Sequence, residues 1–318
     1  MDIDNFLKKE DSISIISNPN YQTIPFQNEN FHEIEDKEGI ITFIDGGNTE
    51  IFSSLNFNLS FIRIASCTYD NNKLKEMKKE EHLILITTEV ENNTLYYKPS
   101  LFTSEFELVK ELPRIDAKDS SISNGIIYGE ISKVVDITRR LLEIEFSEKV
   151  NSKNIILDGN LKSENNLIKE ALKNKNIYAL SKTNRLFTNN GDALTVYLNK
   201  IASKLGKNKW FYYPLITPNE NEPNIIVSKL HQSSKHIFKI EFNKEFNPEL
   251  INILSKNSID PVFLGYPYGL VMVDKLARVT NNEKEYFKFK YLSKMKNKEE
   301  LTQYLNTINA HEILDNIL

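Results

Sequence analysis

Two acidic residues far apart in the chain share one local setting. Asp45 lies in Phe43-Ile44-Asp45-Gly46-Gly47-Asn48, and Asp158 in Ile156-Leu157-Asp158-Gly159-Asn160-Leu161. In each, an apolar β-type run ends in Asp-Gly, which predicts a carboxylate at the tip of a buried strand where the glycine lets the chain turn away. Either segment alone reads as an ordinary Asp-Gly turn, and it is the pairing that reverses that reading. Brought together from distant strands, two such acids offer hard oxygen donors to a divalent cation. That is the chemistry of metal-dependent phosphodiester hydrolysis, which needs an activated water, charge neutralisation at phosphorus and a stabilised leaving oxygen.

The elements that must carry these acids can be read coarsely. Residues 40 to 45, 49 to 54 and 59 to 68 predict three successive strands, with Gly46-Gly47 as the first turn. Residues 73 to 81 read as a charged helical or loop segment. A hairpin follows over 82 to 90 and 94 to 101, turning at Glu91-Asn92-Asn93, and 116 to 124 reads as loop. A helix over 130 to 149 has Val134, Val135, Leu141, Leu142 and Phe146 as its apolar stripe, with Asp136, Arg139 and Glu143 on another face. Strands at 154 to 157, 177 to 180, 224 to 230 and 236 to 242 then alternate with helices near 164 to 173 and 192 to 205. Helices near 248 to 256, 269 to 279 and 299 to 316 complete the chain. Three antiparallel strands followed by alternating helix and strand describe an α/β fold, a ribonuclease H-like mixed sheet flanked by helices with an inserted hairpin.

Composition frames this reading. The 318 residues are 40% hydrophobic and 26% charged, as expected of a globular protein with a proper core. The expected organisation is an N-terminal segment, 1 to 37, that could form an interface, and one domain, 38 to 318, with an insertion near 70 to 125. Cys67 is the only cysteine, which excludes an internal disulfide framework and a cysteine zinc site. No apolar run reaches membrane-spanning length, and the first residues lack the layout of a secretion signal, so a cytoplasmic location is expected. The net charge of −4 does not advertise a nucleic-acid binder, but the sum hides local runs. Lys204 to Lys209 is basic and precedes Trp210-Phe211-Tyr212-Tyr213, and residues 284 to 298 interleave lysines with aromatics. The second run suits a strand with one face toward phosphates, or a half-buried strand with solvated lysines.

Four stretches in order resemble the NurA family of archaeal nucleases, which process DNA ends with the hexameric translocase HerA. They are FIDGGNTEIF (43–52), RRLLEIEF (139–146), IILDGNL (155–161) and FLGYPYGLVMVDKLARV (263–279), with Ala179 to Thr183 as a weaker fifth match. The resemblance places the family's acids on Asp45, Glu143 and Asp158, and its tyrosine on Tyr266. Eight positions after that tyrosine, where the family expects a histidine, stands Asp274. An aspartate there can still ligate Mn²⁺ or Mg²⁺ but cannot serve as an imidazole acid or base.

The resemblance implies Asp45, Glu143, Asp158 and Asp274 as ligands to Mn²⁺ (or Mg²⁺), with Tyr266 orienting water or the phosphate. Lys162, Lys182, Arg185 and Lys275 are the candidate DNA phosphate contacts. It further implies a homodimer docked on a HerA-like ATPase, nucleoid association, and 5′-to-3′ exonuclease with single-strand endonuclease activity in double-strand break processing. Phe6, Leu7, Ile13, Ile16, Leu301, Tyr304, Leu305, Ile313 and Leu314 are candidate interface residues. Simpler alternatives stand beside these roles. Glu143 could pair with Arg139 one turn away, leaving Glu145 as the helical acid. Asp274 could be a solvated acid facing Lys275 or Arg278, Tyr266 could be a core tyrosine, and His231 and His236 read as structural. The alternative function is a catalytically degenerate scaffold that binds DNA or the translocase.

Overall fold

The computed structural model describes residues 21–301 apart from residues 124, 126, 174, 190, 220 and 221. The strands that organise it are β1 (Tyr21–Thr23), β2 (Phe31–Glu33), β3 (Ile40–Ser53), β4 (Phe57–Asp70), β5 (Lys73–Glu91), β6 (Thr94–Phe102), β7 (Leu108–Glu111) and β8 (Ile115–Asp116). After a short helix α1 (Ser120–Ser123) and a long one, α2 (Ile131–Phe146), come β9 (Ile155–Asp158), α3 (Asn166–Leu172), β10 (Tyr178–Ser181) and α4 (Leu194–Lys204). Strands β11 (Trp210–Tyr212), β12 (Ile216–Pro218), β13 (Asn224–Lys229) and β14 (Phe238–Phe242) precede α5 (Pro248–Lys256), α6 (Tyr268–Ala277) and α7 (Asn281–Lys294).

One large sheet runs β2-β11-β13-β14-β10-β9-β3-β4-β5-β6-β7, with β8 on β6, while β1 pairs with β12. At its centre β3, β4 and β5 form an antiparallel meander, in which β3 spans both of the first two expected strands, and β9 lies parallel between β3 and β10. Side chains alternate across a strand, so the central strands feed two cores. Ile44, Leu157 and Ala179 pack with Val134, Leu142 and Phe146 of α2 on one face. Phe43, Ile156 and Leu180 pack with Leu254 of α5 and with Leu270 and Val273 of α6 on the other. Residues 21 to 37 belong to this body, since β2 pairs with β11.

Several local expectations are corrected. Gly46-Gly47 is not a turn, because β3 continues unbroken from Ile40 to Ser53 and pairs with β4 through both glycines. What the glycines provide is room, on opposite faces of the strand. Residues 73 to 81 extend β5 rather than forming a helix or loop, being paired along β4 from Asp70↔Lys73 onward. The segment 116 to 124 includes the helical turn α1. The expected turn of the next hairpin is present, with Asn92 and Asn93 at φ 48° and 60°, a conformation asparagine tolerates better than most residues.

The lysine-aromatic run is helix, not strand. Thr280 and Glu283 form a reciprocal cap, Thr280 Oγ1 accepting from the Glu283 N–H and Glu283 Oε2 from the Thr280 N–H. Phe287, Tyr291 and Met295 then recur at helical spacing against Phe61 and Phe52. Lys290 is drawn to Glu105 at 2.6 Å. The first basic run is partly neutralised too, by Lys207–Glu33 and Lys209–Asp36 pairs, and the aromatics after it form buried β11. Leu301 is buried in the cluster of Phe61 and Phe287, so it offers no exposed interface. The remaining candidate interface residues, and most of the helix expected at 299 to 316, lie outside the described residues.

Candidate functional site

Asp45, Asp158 and Asp274 meet at one place. Each offers a carboxylate oxygen, and the three oxygens lie within 4.8 Å of one another. All three arise on the same side of the sheet. Asp45 follows Ile41 and Phe43 on the α6 face of β3, and Asp158 follows Ile156 at the end of β9, where Gly159 turns the chain at φ 91°. Asp274 is supplied by α6, which can lie unusually close to β3 because glycines stand at both ends of the contact. A Cβ on Gly269 would come 2.8 Å from Cγ of Phe43 and clash with its ring, and one on Gly47 would overlap the Ala277 carbonyl. The end of α6 is fixed by Arg63, a buried guanidinium that donates to the Arg278 carbonyl at 3.0 Å while pairing with Glu81 and Glu283.

The electrostatics follow from this crowding. Burial, then the charges of Glu143 and Asp158, push the Asp45 carboxyl up to about 7, against the Gly46 N–H and Arg139, which favour its ionised form. Lys182 donates to Asp158 Oδ2 at 2.8 Å. Burial acts to lower the pKa of that ammonium, but its bond to Asp158 and the neighbouring acids prevail and raise it. Arg278 pairs with Asp274 at 2.8 Å, one helical turn away as the simpler reading expected. The Tyr266 hydroxyl is buried, and among the described residues no hydrogen-bond partner reaches it. Burial and the three aspartates hold its proton well above the usual tyrosine range. Three convergent carboxylates, one of them raised to about 7 by burial and by its acidic neighbours, form a hard-oxygen donor set that fits a divalent cation.

Glu143 is not gathered with the three aspartates. It approaches from the α2 face of the sheet beneath Gly46, where a Cβ would stand 2.6 Å from its Oε1. There it is 1% exposed and bound by both Arg139 and Arg140. These arginines reach the acid-bearing strands in turn: Arg139 Nη1 donates to the Gly46 carbonyl at 3.0 Å and Arg140 Nη1 to the Asp158 carbonyl at 3.2 Å. Glu143 thus clamps the backbones of β3 and β9 together. Glu145 points away and pairs with Lys110.

Of the candidate phosphate contacts, Lys182 is at the acids, Arg185 and Lys275 are exposed, and Lys162 pairs with Glu222 at 3.6 Å. Two supports were not identified in the sequence. Arg140 holds the Asp158 loop, and the buried Glu241 accepts from the Leu161 and Lys162 N–H groups at 2.6 and 3.1 Å. In Phe238-Lys239-Ile240-Glu241-Phe242 the alternation reads as a strand with a solvated polar face, so nothing in the sequence marks Glu241 as buried.

No protein-family model matches the sequence, and no curated protein matches it. The fold is similar to the NurA nuclease of Sulfolobus solfataricus, with 14% identity and a TM-score of 0.53 over 85% of this chain and 89% of that one. A NurA structure with manganese is 7% identical with a TM-score of 0.50, covering 85% of this chain and 93% of its own. These likenesses show that the chain shares the mixed α/β fold of the two NurA structures. Among the described residues no helix is long and apolar enough to cross a membrane.

Proposed function

We propose that the chain is a divalent-metal-dependent DNA nuclease. The observation that carries this reading is the convergence of the Asp45, Asp158 and Asp274 carboxylates from β3, β9 and α6. A Mn²⁺ or Mg²⁺ ion held there supplies charge neutralisation at the scissile phosphate and a water of lowered pKa. The chain's own groups do the rest. Asp45, Asp158 and Asp274 would hold the cation, for which Asp45 would have to be in its ionised form. Lys182, 53% exposed beside Asp158, can leave that acid for a phosphate oxygen. The Tyr266 hydroxyl stays protonated and donates to the phosphate, having no hydrogen-bond partner among the described residues to give up. Glu143 acts indirectly, by holding the two acid-bearing strands in register through its arginines.

The NurA likeness supports a fuller proposal: 5′-to-3′ exonuclease and single-strand endonuclease activity at double-strand breaks, by a nucleoid-associated homodimer working with a HerA-like translocase. A second reading, a non-catalytic scaffold, draws support from Lys182 and Arg278, which already neutralise two of the three acids. End-labelled single- and double-stranded DNA, incubated with Mn²⁺, Mg²⁺ or EDTA and with wild type or Asp158→Ala, separates them. Metal-dependent cleavage lost in the variant supports the nuclease; DNA bound but never cleaved supports the scaffold.

A further inference from the structure

A cavity of about 620 Å³ opens beside the three carboxylates and shares Lys182, Tyr266 and Asp274 with them. This volume is within the range of small-ligand pockets. Its lining includes the apolar and aromatic Phe238, Val262 and Phe263, of which the last two are 80% and 40% exposed. Lys235 and His236 also line it. The turn presenting Phe263 is built rather than loose. Asp260 Oδ1 accepts from the Val262 and Phe263 N–H groups at 2.9 and 3.2 Å, and the Tyr266 N–H donates to the Phe263 carbonyl at 2.7 Å. Gly265, at φ 87°, lets that turn close against Ser234.

We propose that this cavity receives one unpaired nucleobase of a DNA strand, stacked on Phe263, while an adjacent phosphate lies at the carboxylates. The proposal rests on the nuclease reading of those carboxylates and extends it to the substrate. An aromatic face holds any base by stacking, without reading sequence, and lysines beside it suit the flanking phosphates. A base within a duplex must first be unpaired and unstacked, a cost that is least where the strand is already single. The pocket therefore selects DNA that is unpaired next to the cleaved bond.

The test is a coupling measurement on the full chain carrying Asp45→Asn to prevent cleavage. Binding of a labelled single-stranded oligonucleotide is followed by fluorescence anisotropy while one abasic site is moved along it, with Phe263, Phe263→Ala and Phe263→Tyr compared. At one position, removing the base should weaken binding about tenfold when Phe263 is present and not at all in Phe263→Ala, with Tyr restoring the difference. Losses that simply add at every position, base removal without effect, or no binding would overturn the proposal. Wild-type cleavage in Mn²⁺ is scored separately. Coupling without cleavage removes only the nuclease reading, and cleavage without coupling removes only the pocket.

Discussion

The carbonyl of Ala277 rests directly on Gly47: a Cβ at that glycine would stand 2.9 Å from the carbonyl carbon and overlap its oxygen. With Gly269 against Phe43 at the opposite end, this contact lays α6 on β3 and brings Asp274 over Asp45. Gly47→Ala must push the helix away, because the obstacle is backbone. We expect a loss of about 1–3 kcal/mol, as for other overpacked sites, together with weaker Mn²⁺ binding. Thermal melts with and without Mn²⁺ check this; a variant that melts like wild type and binds Mn²⁺ equally well would contradict the close-approach account.

Tyr266→Phe separates stability from catalysis. The hydroxyl is buried without a partner among the described residues, so its removal forfeits no hydrogen bond. The melting temperature should hold or rise slightly while cleavage falls by roughly 10²-fold, the effect of losing one preorganised donor. Full activity in this variant would remove Tyr266 from the reaction.

Asp45 gives the metal-free protein a pH dependence of known sign. Its carboxyl is pushed from 3.8 to about 7 in the folded chain. Between those values the folded chain keeps a proton that the unfolded chain has released. Stability is therefore greatest below about pH 4 as far as this group is concerned, and is lost as pH rises through about 7. In EDTA, wild type should lose melting temperature from pH 5 to 8 relative to Asp45→Asn, and Mn²⁺ should restore it. Parallel profiles for the two proteins would show that Asp45 is ionised without strain.

Glu143→Gln tests whether that residue positions the site or ligates the metal. Its carboxylate neutralises two arginines at 1% exposure, and removing one partner from a buried ion pair costs about 3–5 kcal/mol. The melting temperature in EDTA should fall markedly, before any cation is involved. An unchanged melt in EDTA with Mn²⁺ binding abolished would instead make Glu143 a direct ligand.

Asp45 and Asp158 were legible because a β-type apolar run followed by Asp-Gly is a local signal, whereas the extent of β3 and of β5 was not, since glycines and a charged run mask strand continuity. Asp274 was found only through the block around Tyr266, since an acid on a helix face says nothing by itself about what it meets. Glu143 lies apart from the three aspartates for a physical reason. Helical periodicity puts it beside Arg139, but the side of the sheet on which α2 packs decides whether it joins Asp45 or lies beneath Gly46. Gly46-Gly47 read as a turn because glycine serves both turns and close approaches, and only the packed helices distinguish the two uses. In the lysine-aromatic run a period of two masked the cap at Thr280 and Glu283, which starts a helix.

The central claim is that Asp45, Asp158 and Asp274 together bind one catalytic cation. Calorimetric titration of the full chain with Mn²⁺ at pH 7.5, in wild type, Asp45→Asn and Asp158→Asn, tests it most directly. The account predicts specific Mn²⁺ binding in wild type that is weakened at least about tenfold in each variant, as expected when a site loses a charged oxygen ligand. Equal Mn²⁺ affinity in all three proteins would contradict it.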